Sequence, residues 1–407
     1  MPPNTPALDD VGAELADLFP EFSCPRAGGA AVLDAAVPMI AREYATGLIG
    51  AYLGQQFEKI SQCSDGILEY LGQWVTDPQR SVVEGQLPFL GWDYSFGDAY
   101  RSIMNGGHDA ALVAASVAAH LGTCGIPGSW SIRLGQPVRL RWSGVLLPPA
   151  TSVEVHCRRD KASIIFSGGP RAGTEELCRV DGAWLATNAD SRAPVSKHGI
   201  EFQLLTRAAL AMRDYDDLLD RALPDVPPEM YQVFDEALDI LARYAPQYLP
   251  WIARTIHQMF LLRPSRGKVE SGSVEHYLGL VHLSLHSEPL PVAELLVHEA
   301  THQYMNVIAK VEPLDDGTDS KTYWSPAVNT QRPVAKIIAA LHAFGNVMLF
   351  YRSCVENGMG NVSECERQEG LLREWMYHLV PPVIDNPSLS RTGNSLCQPL
   401  LDALRLR

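Results

Sequence analysis

Two histidines four residues apart, with a glutamate beside them, are the side chains in this sequence best spaced to do chemistry: VHEATH supplies His298, Glu299 and His302. On an α-helix, residues i and i+4 leave the same face one turn apart, so both imidazoles can reach one divalent metal. Two donors do not complete a catalytic site; a third usually comes from a Glu or His on a later helix. After His302 the chain reads QYMNVIAK, so the HxxGxxH continuation of the metzincins is missing. The next helical pattern, QRPVAKIIAALHAFGNVMLFY, sets Ile338, Leu341, His342 and Leu349 on one face, with Gly345 among them. His342 is therefore expected to point inward and to serve as third metal ligand, with Glu312 and Glu356 as the carboxylate alternatives. Its plain alternative is a satisfied core histidine.

The elements that position these side chains are legible in outline. Pro289 and Pro291 mark the start of a helix from about Leu290 to Ala309, because proline is tolerated in a helix's first turn. The run VEHYLGLVHLSLHS, residues 274–287, reads as one or two strands leading into it, with His282 and His286 on one side where they would line a substrate edge. Ordinary surface histidines are the plain reading of that pair. Upstream, residues from about Ala30 to His120 repeat apolar positions at helical spacing, and about Ser129 to Thr206 carries short β-prone runs, with Asp181-Gly182 as a hairpin signal. The fold class expected is α+β: a helical N-terminal region (1–125), a β-rich middle (126–206) and a zincin-like C-terminal half (207–407) holding the motif helix. The acidic run Asp214, Asp216, Asp217 and Asp220 lacks the spacing of a calcium loop and reads as a solvated helix face.

The segments LLVHEATHQYMN and YWSPAVNTQRPVAKIIAALHAFGNVMLFYRS resemble the HExxH-domain proteins associated with ribosomal peptide natural-product gene clusters. The likeness covers roughly residues 270–355. It implies an Fe(II)- and 2-oxoglutarate-dependent peptide β-hydroxylase acting on a ribosomally synthesised precursor peptide, with His298, His302 and His342 on the metal. Arg332, at the Arg-Pro step, would then hold the distal carboxylate of 2-oxoglutarate, since a guanidinium fork matches a carboxylate bidentately. Tyr323 and Ser325 lie in the same loop.

Two further readings stand beside that one. A zinc peptidase would use Zn(2+) in the same place, with Glu299 as general base for metal-bound water. A peptide-binding scaffold would need no catalysis. The formal net charge of -14 argues against a nucleic-acid partner, because phosphate binding needs a basic stripe, and suits a neutral or cationic peptide better. No N-terminal signal pattern and no apolar stretch of membrane-spanning length is read, so the expectation is a cytoplasmic protein without a membrane partner. The eight cysteines are scattered without a CxxC pair, which suggests free thiols.

Overall fold

The computed structural model describes residues 17–26, 28–76, 92–105, 109–142, 145–180, 183–186, 195–207, 216–265 and 270–406. Its helical elements open with α1, a single 3₁₀ turn at Phe19–Phe22, followed by α2 (Ala30–Ser61), α3 (Ile67–Thr76), α4 (Tyr94–Asn105) and α5 (Ala110–Thr123). The helices α2 to α5 fall in the span from about Ala30 to His120 expected to be helical, whereas α1 lies before it. Asp109 caps α5 by accepting from the Ala111 and Leu112 amides. The alanine- and valine-rich α5 is apolar around its circumference and is accordingly buried along most of its length.

The β-prone runs form an antiparallel sheet in the order β1-β2-β5-β6-β7-β8. Its strands are β1 (Ser64–Asp65), β2 (Gly128–Val138), β5 (Ala150–Cys157), β6 (Lys161–Ser167), β7 (Gly173–Val180) and β8 (Ala183–Ala186), while β3 (Arg141–Trp142) and β4 (Val145–Leu146) pair separately. Val180 stands opposite Ala183, which supports the hairpin signal; the Asp181-Gly182 pair itself lies outside the described residues, as does Asp214 of the acidic run.

A second sheet carries the motif. After β9 (Val195–Lys197) and β10 (Ile200–Leu205) come α6 (Asp216–Leu219), α7 (Pro228–Tyr244) and α8 (Tyr248–Ala253), then β11 (Gln258–Leu262), β12 (Ser271–Ser273) and β13 (Leu280–Ser284). The order is β12-β13-β11-β10-β9. The inner strands β10, β11 and β13 run parallel, whereas β9 and β12 are antiparallel edges. A boundary drawn after residue 206 thus separates β9 and β10 from the sheet they complete: local propensity marks a strand but not the sheet it joins. Both β11 and β13 are buried at every position, as parallel strands covered on two faces are.

The motif helix α9 (Pro289–Ile308) begins at the two prolines, as read from the sequence. A hairpin, β14 (Thr322–Ser325) with β15 (Thr330–Pro333), leads into α10 (Val334–Glu356), and α11 (Val362–Leu379) and α12 (Arg391–Leu404) follow. Helix α10 is long and apolar enough by composition to cross a membrane, contrary to the expectation that no stretch approaches that length, but it is mostly buried, as a core helix is. Asp93 ties the regions together. Arg141 of β3 and Gln258 of β11 both donate to its carboxylate, the latter at 2.7 Å. Burial works against ionisation there, yet the Arg141 guanidinium and the Ser95 hydrogen bonds hold the carboxyl down at about 2.

Candidate metal centre

His298 and His302 project side by side from α9, their ring centroids 4.7 Å apart and the rings nearly perpendicular. Both are half-buried. Burial drives His298 well below the usual imidazole range, and burial together with repulsion from the Lys336 ammonium puts His302 at about 4. The rings are therefore neutral at physiological pH, which is the form that binds a metal. No hydrogen bond engages either imidazole among the described residues.

What faces them is α10. Phe344 packs on His298 at 4.8 Å, and Trp375 of α11 meets Phe344 edge-on at 4.8 Å. About two turns along α10 from Phe344 and one turn back along α9 from His298, the Tyr351 hydroxyl donates to Glu294 at 2.5 Å. Residue numbers rise along α9 as they fall along α10, so the two helices run antiparallel. Glu294, His298 and His302, spaced four apart, form a stripe on α9 opposite Tyr351 and Phe344 of α10.

Glu299 turns to the other side and is 1% exposed. Ser271 of the edge strand β12 donates to its Oε1 at 2.5 Å, and Oε2 has no hydrogen-bond partner among the described residues. Burial pushes this carboxyl up to about 7, against the pull of the Ser271 and Ser273 hydroxyls. Between those serines, a side chain at Gly272 would bring a Cβ to 2.7 Å from the His282 ring, so glycine is what lets β12 lie flat on β13.

His342 is brought elsewhere. Its Nε2 donates to the Phe22 and Ser23 carbonyls at 3.0 and 2.9 Å, and Asn346 donates to the same Ser23 carbonyl at 2.9 Å. Two residues along a helix turn the side chain by about 200°, so His342 leaves α10 on the side away from Phe344 and His298. Burial, helped by repulsion from the His302 ring, holds its ring at about 3, the two carbonyls pulling the other way. Among the described residues, no three His, Cys, Asp or Glu side chains converge as a metal group. His342 thus makes its hydrogen bonds with the backbone of the N-terminal segment: apolar periodicity showed that it points inward, not that this segment would be waiting for it.

The other candidates fall as follows. His282 sits on β13, which is paired on both sides by β11 and β12 and so presents no free edge to a substrate; its neutral ring, held at about 4 by burial, packs on Phe260. His286 lies beyond the strand's end and accepts the Glu288 amide hydrogen at 3.1 Å. The substrate edge expected from these two is corrected accordingly, and the edge strand is β12. Arg332 is half-buried on β15, opposite Tyr323, and no ion pair or hydrogen bond engages it among the described residues. Tyr323 donates to Asp319 at 2.7 Å, and Ser325 is buried. Glu312 accepts from Thr392, while Glu356 is exposed at the end of α10.

A Cys-His arrangement, not evident from sequence, does exist on α5, where His120 Nε2 is 3.5 Å from Cys124 Sγ and His120 Nδ1 is 3.6 Å from Asp93. Burial pushes the Cys124 thiol up to about 12, and it sits at a helix C-terminus, the end that disfavours a thiolate. This is a structural cluster rather than a nucleophile. The chain matches no protein-family model and no curated protein.

Sequence reasoning missed Glu294, Phe344, Tyr351 and Ser271. A signal existed for Glu294, which stands four residues before His298. None existed for Ser271, whose contact with Glu299 spans a strand pairing.

Proposed function

We propose that this chain is a metal-dependent peptide-modifying enzyme in which His298 and His302 hold Fe(II) and Arg332 anchors 2-oxoglutarate, the reaction being hydroxylation at a side-chain β-carbon of a ribosomally synthesised peptide. The observation that carries this reading is the pair of neutral, unengaged imidazoles opposite an aromatic ring rather than a third donor. Two imidazoles fit a divalent metal as part of its coordination sphere and leave positions for a bidentate 2-oxo acid. When bound, iron with its 2-oxo acid supplies the oxidising power that the protein's side chains lack.

The chain's own residues do the rest. The half-buried Arg332, with no carboxylate partner among the described residues of an acidic chain, is available to a ligand carboxylate. Phe344 and Trp375 furnish an apolar wall beside His298 that limits water. Glu299, fastened under β12, orients the motif helix against the edge strand. The parallel strands with one antiparallel edge beside the motif helix support the zincin-like reading of this half.

A zinc peptidase is the second reading, and one observation favours it: the Glu299 carboxyl, at about 7 with one unpartnered oxygen, has the affinity for a proton that a general base needs.

The deciding experiment is anaerobic reconstitution with Fe(II), followed by 2-oxoglutarate titration read from the visible charge-transfer band, in wild type, His298→Ala and Arg332→Ala. A band that forms in wild type, is lost in His298→Ala and needs more 2-oxoglutarate in Arg332→Ala supports the oxygenase. No band, with one tightly held zinc per chain, selects the peptidase.

A further inference from the structure

We propose that Cys354, Met359 and Cys365 form a second metal site, separate from the histidine pair, that takes a soft monovalent cation of the copper(I) kind. The inference goes beyond the function proposed above and shares no ligand with it.

The turn between α10 and α11 brings the three sulfurs together. Helix α10 ends in a Schellman motif: the Met359 amide donates to the Cys354 carbonyl at 3.0 Å and the Gly358 amide to the Val355 carbonyl at 3.1 Å, with Gly358 at φ +69°. This motif turns the chain back on the helix's last turn, which sets Met359 beside Cys354. From the first turn of α11, Cys365 donates its thiol hydrogen to Met359 Sδ at 3.7 Å. The Cys354 thiol hydrogen-bonds that of Cys365 across the contact between the two helices. Both cysteines are fully buried, and Met359 is 9% exposed.

A metal–thiolate bond is about 2.3 Å long in zinc sites, so three sulfurs around one ion stand about 4 Å apart. The 3.7 Å between Cys365 and Met359 is close to that spacing with no ion bound. Sulfur in a core is ordinarily packing material, and Cys157 spends its thiol on the Gly122 and Arg158 carbonyls. At this turn the sulfurs meet one another instead. Met359 also lines a cavity of about 670 Å³, which gives an ion a route to them. Glu288 and Glu364 line the same cavity and favour a cation, while Arg367 beside them is held by Glu364 at 2.6 and 2.8 Å.

Two thiols and a thioether are a soft donor set without imidazole or carboxylate, which selects copper(I), whereas zinc takes four ligands drawn from thiolate, imidazole and carboxylate. Burial, with Cys365 beside it, pushes the Cys354 thiol up to about 12, so the empty site holds neutral thiols. On binding, each thiol gives its proton to solvent. One copper(I) thus replaces two protons, and nothing is oxidised or reduced.

The test is anaerobic titration of the reduced full-length protein with copper(I) against bicinchoninate, a coloured copper(I) chelator. Uptake is read from the chelator's colour and from the thiolate-to-copper charge-transfer absorption, which imidazole ligands do not give. Wild type is expected to take one copper(I) per chain from the chelator, with that absorption, and to keep it in a large excess of zinc. Met359→Leu preserves the volume of the side chain and so the fold, and should weaken binding by at least about tenfold. Cys365→Ser should abolish the absorption, while Cys157→Ser leaves both readings unchanged. No copper taken by wild type, unchanged affinity in Met359→Leu, absorption that survives in Cys365→Ser, or displacement by zinc overturns the inference.

Discussion

Ser271 on the edge strand donates to Glu299 of the motif helix at 2.5 Å, so the acid that a peptidase would use as a base is fastened to the strand along which a peptidase substrate would lie. The two enzyme readings therefore part at this residue. Glu299→Gln keeps an acceptor for Ser271 and removes only the ionisable oxygen. Under the oxygenase reading, succinate formation from 2-oxoglutarate should stay within about tenfold of wild type. Under the peptidase reading, peptide cleavage should fall by roughly 10²–10⁴, the usual worth of a general base. Mass spectrometry of the peptide product, run in parallel with succinate assay, separates the outcomes.

Metal binding should show an unusual pH profile. A solvent-exposed histidine site loses affinity as pH falls through about 6.5, because protons compete for the imidazoles. Here burial and Lys336 hold His302 at about 4, and burial holds His298 well below the usual imidazole range. Cobalt(II) affinity, read from its visible spectrum in the otherwise metal-free protein, should stay nearly level from pH 7.5 to about 5 and then drop. His298→Ala and His302→Ala should each lower it by at least tenfold. An affinity that falls tenfold per pH unit already at pH 6.5 would show that the rings titrate normally.

The same two histidines show where sequence suffices. A motif of four-residue spacing, prolines at the helix start and an apolar stripe are local features, and α9 and α10 form where those features put them. Which side chains meet is decided by partners far along the chain. His342 is 320 residues from the carbonyl of Phe22 that it donates to, and Ser271 reaches Glu299 only because β12 pairs antiparallel beside β13. Strand β10 reads locally like its β-rich predecessors and yet joins β11, because a parallel pairing leaves no mark in the strand itself beyond burial. His282 of β13 misled for the same reason: alternation tells which face a residue takes, not whether the strand is an edge.

His342 should prove to be a structural pin. Replacing it by alanine would leave the Phe22 carbonyl without this donor and open a cavity between α10 and α1, costing roughly 2–4 kcal/mol of stability. Asn346 still serves Ser23, which should keep the loss from being total. Urea denaturation should show this loss for His342→Ala, while one cobalt(II) per folded chain still binds within about threefold of the wild-type affinity. A variant that folds as wild type but no longer binds metal would restore His342 to the ligand set.

A last prediction concerns Asp98, which is 6% exposed and accepts the Tyr277 hydroxyl at 2.9 Å. Burial pushes its carboxyl up to about 7, the Tyr277 hydrogen bond pulling the other way. The folded-state value thus lies above the unfolded value of about 3.9. Between those values the unfolded chain releases the proton while the folded chain keeps it, so stability is fully present below about pH 4 and declines as pH rises through 7. Asp98→Asn resembles the protonated acid at every pH and can still accept from Tyr277. Relative to wild type, it should therefore gain stability on going from pH 5 to pH 8, by roughly 1–3 kcal/mol. The raised carboxyl of Glu299 leaves a residual slope in both proteins, which the comparison cancels. Denaturation curves at the two pH values measure the difference, and an equal effect of the substitution at both would mean that Asp98 is ionised throughout.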